Sequence, residues 1–267
     1  MKNYLQKNAK KYSKRILMGF ISLLILGSTN ISAQVSFTQT LNADFHKGVY
    51  NDLLVSGDNI YLPYQADNVN NWLTTTVLPQ TLEGHKAATW NNRYVYVVGG
   101  FNDLTYSSSV YRATLQSGGI SSWTALNSLP LGLRDHAVVI GTNTIYVLGG
   151  KDGTSIYDEI YFATINTDGS IGTWQTASVT LPETLWGHTA VYCNGYIYVA
   201  GGSNNSTATS ARSNVYYAKV LADNTLSVFT ATTSLPQTRN GQSMVINGDE
   251  VYVLGGFANG GAKTNTA

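Results

Sequence analysis

From about residue 79 onward, short apolar runs alternate with polar or glycine-rich turns in a cycle of roughly 50 residues. Ala137 to Ile140 is apolar, Gly141 to Asn143 is a turn, and Ile145 to Leu148 is an aromatic and β-branched run closed by Gly149 and Gly150. The same order recurs with Tyr94 to Val98 before Gly99 and Gly100, Tyr196 to Ala200 before Gly201 and Gly202, and Val251 to Leu254 before Gly255 and Gly256. Short runs of this kind, bounded by turn formers, predict β-strands. A third strand is expected at Val110 and Tyr111, Ile160 and Tyr161, and Val215 and Tyr216. A fourth carries Trp123, Trp174 or Phe229, with Ile120, Ile171 or Leu226 three residues earlier. Little helix is expected.

Leu-Pro pairs punctuate the cycle at Pro79, Pro130, Pro182 and Pro236, in steps of 51, 52 and 54. Six residues after each proline stands His85, His136, His188 or Gln242. The units therefore run at about 79–129, 130–181 and 182–235, with a partial one at 236–267. One four-stranded sheet cannot bury both of its faces alone, so such units must stack side by side around an axis. The glycine pairs let the backbone leave the second strand through angles that a Cβ forbids. The tyrosines Tyr111, Tyr161 and Tyr216, with Trp123 and Trp174, supply the large apolar areas that fill the space between neighbouring sheets. These residues are read as packing.

The glycine pairs, the spaced Tyr and Trp and the Leu-Pro linker resemble kelch repeats as found in bacterial exported proteins, over residues about 60–257. The fold class this implies is all-β: a kelch-type β-propeller of three complete four-stranded blades with partial blades at each end. Two readings of the ring stand, a fragment of a larger propeller or a closed ring of four blades. The third-strand tyrosine lies 11, 11 and 14 residues beyond the second glycine, whereas 11 residues follow Gly256. At the other end, Ile60, Tyr61, Val69 and Trp72 match third and fourth strands in spacing. Alternatively Tyr61 belongs to a second strand, because Gly57, Asp58 and Asn59 resemble the turn at Gly141 to Asn143. In that case residues 34–72 hold a degenerate blade; otherwise residues 34–58 are an N-terminal segment or degenerate strands, and the propeller occupies 59–267.

The first 33 residues have another character. Six basic residues, Lys2 to Arg15, precede an apolar run from Ile16 to Gly27, which ends at Ile31, Ser32 and Ala33. The run is too short to span a bilayer as a helix and reads as a signal peptide cleaved before Gln34. Export to the periplasm, cell surface or medium is expected, with no membrane attachment after cleavage. Removal of this segment leaves ten basic against 15 acidic side chains, a net charge of −5. With no basic stripe to neutralise phosphates, nucleic acid is not an expected partner. Cys193 is the one cysteine, set in an apolar strand, and reads as a small buried hydrophobe.

An antiparallel meander brings the Leu-Pro loops and the loops after the glycine pairs to one face. Four residues after each proline the residue changes from unit to unit: Glu83, Arg134, Trp186 and Asn240. The loops after the glycines add Phe101, Asn102 and Asp103, then Lys151 and Asp152, then Asn204 and Asn205, and Phe257. This mixture of aromatic, amide and charged groups suits a polypeptide or a carbohydrate. The expected function is therefore a non-enzymatic binding module with a protein or carbohydrate partner. One histidine per unit, with glutamine in the fourth, reads as a repeated hydrogen-bond anchor at the start of the innermost strand, and no metal, cofactor or catalytic residue is assigned. The resemblance also reaches two catalytic relatives. Copper radical oxidases need a cysteine crosslinked to a tyrosine, which Cys193 does not suit. Sialic acid mutarotases need an acid and a base in a cupped pocket, to which Glu83, Arg134 and Asp103 could contribute. Many kelch repeats carry arginine three residues before the histidine column; here Leu82, Leu133, Leu185 and Arg239 stand there, so an arginine ring for acidic peptides is not expected.

Overall fold

The computed structural model describes residues 75–116, 119–206, 210–259 and 263, and the backbone of three short strands between 49 and 61. The chain divides into two compact units, Met1–Trp72 and Leu73–Ala267. In the first, β1 (Val49–Tyr50), β2 (Leu53–Ser56) and β3 (Asn59–Tyr61) form an antiparallel sheet in that order. Ser56 pairs with Asn59 and Leu54 with Tyr61. A tight hairpin thus joins β2 to β3, and β2 has a strand paired on each of its edges. The expected signal segment, Val69 and Trp72 lie outside the described residues.

The second unit realises the repeat. Blade A comprises β4 (Lys86–Trp90), β5 (Tyr94–Val98) and β6 (Val110–Gln116), and β7 (Gly119–Ile120) and β8 (Thr124–Ala125) share the outer edge of β6. Blade B is β9 (Ala137–Ile140), β10 (Thr144–Lys151), β11 (Ile156–Thr164) and β12 (Gln175–Thr176). Blade C is β13 (Thr189–Cys193), β14 (Tyr196–Ala200), β15 (Val215–Lys219) and β16 (Thr230–Thr232). In the fourth repeat the described strands are β17 (Ser243–Asn247) and β18 (Glu250–Leu254). All pairings are antiparallel and, apart from the return of β8 to β6, join strands consecutive along the chain, and the first strands β4, β9, β13 and β17 lie side by side in succession. The stack of sheets is therefore the kelch-type propeller arrangement that the period demanded.

Blade B shows why the period-2 pattern holds the stack together. On β10, Ile145 and Val147 point toward blade A and pack with Tyr94, Tyr96 and Val98, whereas Tyr146 and Leu148 point toward blade C and pack with Ile197, Val199 and Phe229. Alternate side chains leave a strand on opposite faces, so a central blade needs both sets apolar. All four side chains are fully buried. The same geometry exposes the fourth repeat, where Val245, Val251, Tyr252 and Leu254 retain substantial solvent contact.

Polar bonds repeat across the same seams. The Tyr96 hydroxyl donates to the Gly169 carbonyl at 2.8 Å, and the Tyr146 hydroxyl donates to that of Asn224 at 2.8 Å, each on the turn of the next blade. The Trp174 indole N–H donates to Asn127 O at 2.8 Å and that of Trp123 to Thr76 O at 3.2 Å. A buried phenol or indole needs such an acceptor. The packing assigned to Trp174, Tyr161 and Tyr216 corresponds to burial; Trp123 and Tyr111 are half-buried. At the glycine pair of blade B, Gly149 has φ +53° and Gly150 φ +99°. A Cβ on Gly149 would stand 2.7 Å from the Leu185 carbonyl of blade C, and one on Gly150 would stand 2.7 Å from His136 Cβ. The pair thus serves close approach of blades as well as the turn.

Candidate functional site

The residue four after each Leu-Pro proline and the residue after each glycine pair meet in a two-residue antiparallel bridge. Glu83 pairs with Phe101, Arg134 with Lys151, Trp186 with Ser203, and Asn240 with Phe257. Each bridge carries two reciprocal backbone bonds, 2.9 and 2.9 Å for Glu83 and Phe101, 3.0 and 3.0 Å for Arg134 and Lys151, 3.0 and 2.9 Å for Trp186 and Ser203, and 2.9 and 2.8 Å for Asn240 and Phe257. Directly opposed residues on an antiparallel pair present their side chains to the same face. One frame thus presents two side chains per repeat, and their identity changes while the backbone does not.

A second set of backbone bonds ties the frames together. Asp135 N–H donates to Gly84 O at 2.8 Å, Gly187 N–H to Asp135 O at 2.7 Å, and Gly241 N–H to Gly187 O at 2.8 Å. The second glycine of each pair also reaches the next repeat, from Gly100 to Leu133 O at 2.7 Å, Gly150 to Leu185 O at 2.8 Å and Gly202 to Arg239 O at 2.8 Å. Loops are ordinarily mobile because water satisfies their backbone. Here neighbouring repeats satisfy it.

On this frame the side chains of blades A, B and C join. Arg134 pairs with Glu83 across the seam and with Asp135 at 2.9 Å, and its guanidinium lies 5.6 Å from the centre of the Phe101 ring. Lys151 stands 3.5 Å from the same Asp135 oxygen and 3.3 Å from the centre of the Trp186 ring. Burial works against the charge on Arg134, but the bond to Asp135 and the fields of Asp135 and Glu83 outweigh it and raise its pKa. For Lys151 burial prevails, and Asp135 only partly offsets the lowering. Trp186 is fixed in turn by its indole N–H, which donates to Asn205 O at 2.6 Å.

Not every candidate residue is available on this surface. Asn240 is a correction: it is buried, 4% exposed, and its amide donates to the Trp186 carbonyl at 3.0 Å, so it braces the seam. Asp152 turns inward on its own loop, accepting from the amides of Thr154 and Ser155, both at 2.7 Å, and from the Tyr157 hydroxyl at 2.7 Å. Burial opposes the ionisation of Asp152, but these bonds hold its pKa down to about 2. Asp103 is exposed at a loop tip with φ +70°. Phe257 and Glu83 are exposed, while Phe101, Arg134, Lys151 and Trp186 are half-buried. Asn204 donates to Glu183 at 3.2 Å, and that carboxylate also takes Arg212 at 2.8 Å and the Tyr216 hydroxyl at 2.9 Å.

The histidine column lies beneath this surface. Gln242 donates its amide to Ala200 O of blade C at 2.7 Å. His136 and His188 lie against the corresponding carbonyls, Val98 and Leu148, without reaching hydrogen-bond geometry. Full burial pushes both imidazoles down to about 3, aided by the positive field of Lys86. They are neutral packing groups between blades. Among the described residues, His, Cys, Asp and Glu form no group of three arranged to hold a metal ion. Leu133 and Leu185 are buried, and Arg239 is buried too, donating to Gly255 O at 2.6 Å.

Two residues of the face escaped the sequence reading. Leu104 is 87% exposed on a turn that Asn102 secures by accepting from the amides of Leu104 and Thr105 at 3.2 and 2.8 Å. Asp135 organises both cations of blade B. Its signal was present, since the other repeats have glycine at the matching positions 84, 187 and 241.

Stacked four-stranded sheets, paired glycines and a loop face tied by cross-blade amides define a kelch-type propeller repeat protein. The family model described as Attractin/LZTR1 beta-propeller matches residues 63–266, well over half of the chain, and the chain belongs to that family. Beta-scruin of Limulus polyphemus is 28% identical over 146 residues, covering 52% of this chain and 15% of that protein. Kelch-like protein 40 of Mus musculus is 31% identical over 173 residues, 61% of this chain and 25% of that protein; Kelch-like protein 41b of Danio rerio is 31% identical over 139 residues, 51% and 21%. The matched segments thus span a quarter or less of these relatives. The solved structure entitled "Structure of YjhT" superposes with a TM-score of 0.60 at 15% identity, covering 77% of this chain and 70% of that one, which shows a shared fold.

Proposed function

We propose that the chain is a non-enzymatic interaction module that engages a protein partner through the loop face. The observation that carries this reading is the uniform bridge frame, on which the bridged pair differs in every repeat, Glu83 with Phe101, Arg134 with Lys151, Trp186 with Ser203 and Asn240 with Phe257, while the hydrogen bonds beneath them are the same. Repeat architectures place function on such variable positions of an invariant scaffold. Exposed Leu104 and Phe257 and exposed, charged Glu83 and Asp103 offer apolar anchors and polar groups of the kind a protein interface uses. Membership of a kelch propeller family supports the same reading. Lys151 covers one face of Trp186, which reduces the ring available for stacking on a sugar.

We further propose that the chain is exported, on the strength of its basic and apolar N-terminal pattern. N-terminal sequencing of the released protein should begin at Gln34, and an intact Met1 would end that proposal. For the interaction face, the purified full-length chain is used to capture proteins from extracts of its source with crosslinking. A captured protein is then titrated against wild type, a Leu104→Asp and Glu83→Arg double variant, and an Arg93→Glu variant near the turn following β4. Weakening of about tenfold or more is expected for the double variant alone. Equal weakening by Arg93→Glu, or none by the double variant, contradicts the assignment of the face. Glycan binding abolished by Trp186→Ala, or anomeric proton exchange abolished by Glu83→Gln, would replace it with a carbohydrate reading.

A further inference from the structure

At the ring positions five residues after each proline, the backbone takes the left-handed region in every repeat, with φ of +61°, +54°, +63° and +68° at residues 84, 135, 187 and 241. Three of these are glycine, the residue this conformation favours; Asp135 alone carries a side chain. Its backbone makes the same two cross-blade bonds as its glycine counterpart at 187. The fold therefore does not require an aspartate here.

What the carboxylate does is specific. One oxygen, Oδ2, holds both cations of the blade B bridge, Arg134 at 2.9 Å and Lys151 at 3.5 Å. Arg134 thereby stays over Phe101 of blade A and paired with Glu83, and Lys151 stays over Trp186 of blade C. The other oxygen, Oδ1, lies against Gly84, 2.9 Å from where a Cβ there would stand. A residue in a sparsely populated backbone region, kept where its neighbours have relaxed to glycine, points to a role other than stability.

We propose that Asp135 is the positioning residue of the loop face, retained to orient Arg134 and Lys151 into one continuous surface across three blades. This rests on the interaction reading of that face, but its test does not use a partner, so the two fail separately. The full-length protein and its Asp135→Gly and Asp135→Asn variants are labelled briefly with an amine-reactive acetylating reagent, and Lys151 is quantified by mass spectrometry against exposed Lys219 as internal reference. Removal of the carboxylate takes away the group that favours the charged amine and tethers it, so the Lys151 to Lys219 ratio should rise up to about fivefold in both variants, the upper range for a partly exposed ion pair. The Asp135→Gly protein should melt no lower than wild type, because glycine is at ease in this conformation. A melting temperature lowered by several degrees would make Asp135 a structural residue and overturn the proposal. An unchanged ratio in either variant would also overturn it, because the carboxylate would then not position the cations.

Discussion

The buried histidines make stability depend on pH with a sign and size that the structure fixes. His136 and His188 are essentially inaccessible to water, and their pKa falls from 6.5 to about 3, because burial penalises the imidazolium and Lys86 repels it. The unfolded chain binds a proton at each ring as pH falls below about 6.5, and the folded chain does not. Stability is therefore complete above that pH and declines down to about 3, by as much as ~1.4 kcal/mol per pH unit for each ring. Integrated from pH 6.5 to 4.5, one histidine accounts for roughly 2 kcal/mol. Gln242 shows that a neutral amide fits the same slot. His136→Gln should unfold with similar free energy at pH 7.5 and should be more stable than wild type by roughly 2 to 3 kcal/mol at pH 4.5, after correction for any difference at pH 7.5. Urea denaturation across this range, followed by tryptophan emission, measures both. Asp152, Asp168 and Asp223, which titrate at lower pH, contribute equally to the two proteins and cancel. Identical pH dependence in variant and wild type would refute the claim that His136 is buried and neutral.

Other outcomes follow from the seams between blades. Gly149→Ala should destabilise by about 3 kcal/mol or more, because the new methyl meets the Leu185 carbonyl; Gly248→Ala, also left-handed but with nothing within 4 Å, should cost only about 1 kcal/mol of backbone strain. Thermal melts of the pair check this, and equal losses would contradict it. Tyr146→Phe removes the bond to Asn224 O and leaves that acceptor short of its donor, so a loss of about 1 to 2 kcal/mol in urea denaturation is expected.

Much of this architecture could be read from spacing. The unbroken apolar run from Ile145 to Leu148 marked a strand, and the glycine pairs and Leu-Pro landmarks fixed where sheets begin and turn. The meander alone predicted that the residue after the glycines and the fourth residue after the proline share a face, and the four bridges are that prediction made explicit. What was not legible depends on side-chain direction. Asn240 sits at a variable position yet turns into the seam toward the Trp186 carbonyl, and Asp152 folds back on its own loop. Position along a loop does not say which way a short polar side chain bonds. Asp135 and Leu104 escaped because one is an exception within a glycine column and the other lies at a tip whose rigidity comes from Asn102. The cross-blade bonds of Tyr96 and Tyr146 were likewise hidden, since each joins residues more than 70 positions apart.

The dependence of the loop face on neighbouring blades is open to direct measurement by amide hydrogen exchange at Asp135 and Gly187. Both N–H groups lie in surface loops, yet each is bonded to the adjacent repeat, at 2.8 and 2.7 Å. If blades are stacked as described, these amides exchange as slowly as those of β10 and β14 and open only with the sheets themselves. Exchange at the rate of free loop amides, while β10 stays protected, would contradict a loop face built by the stacking of blades.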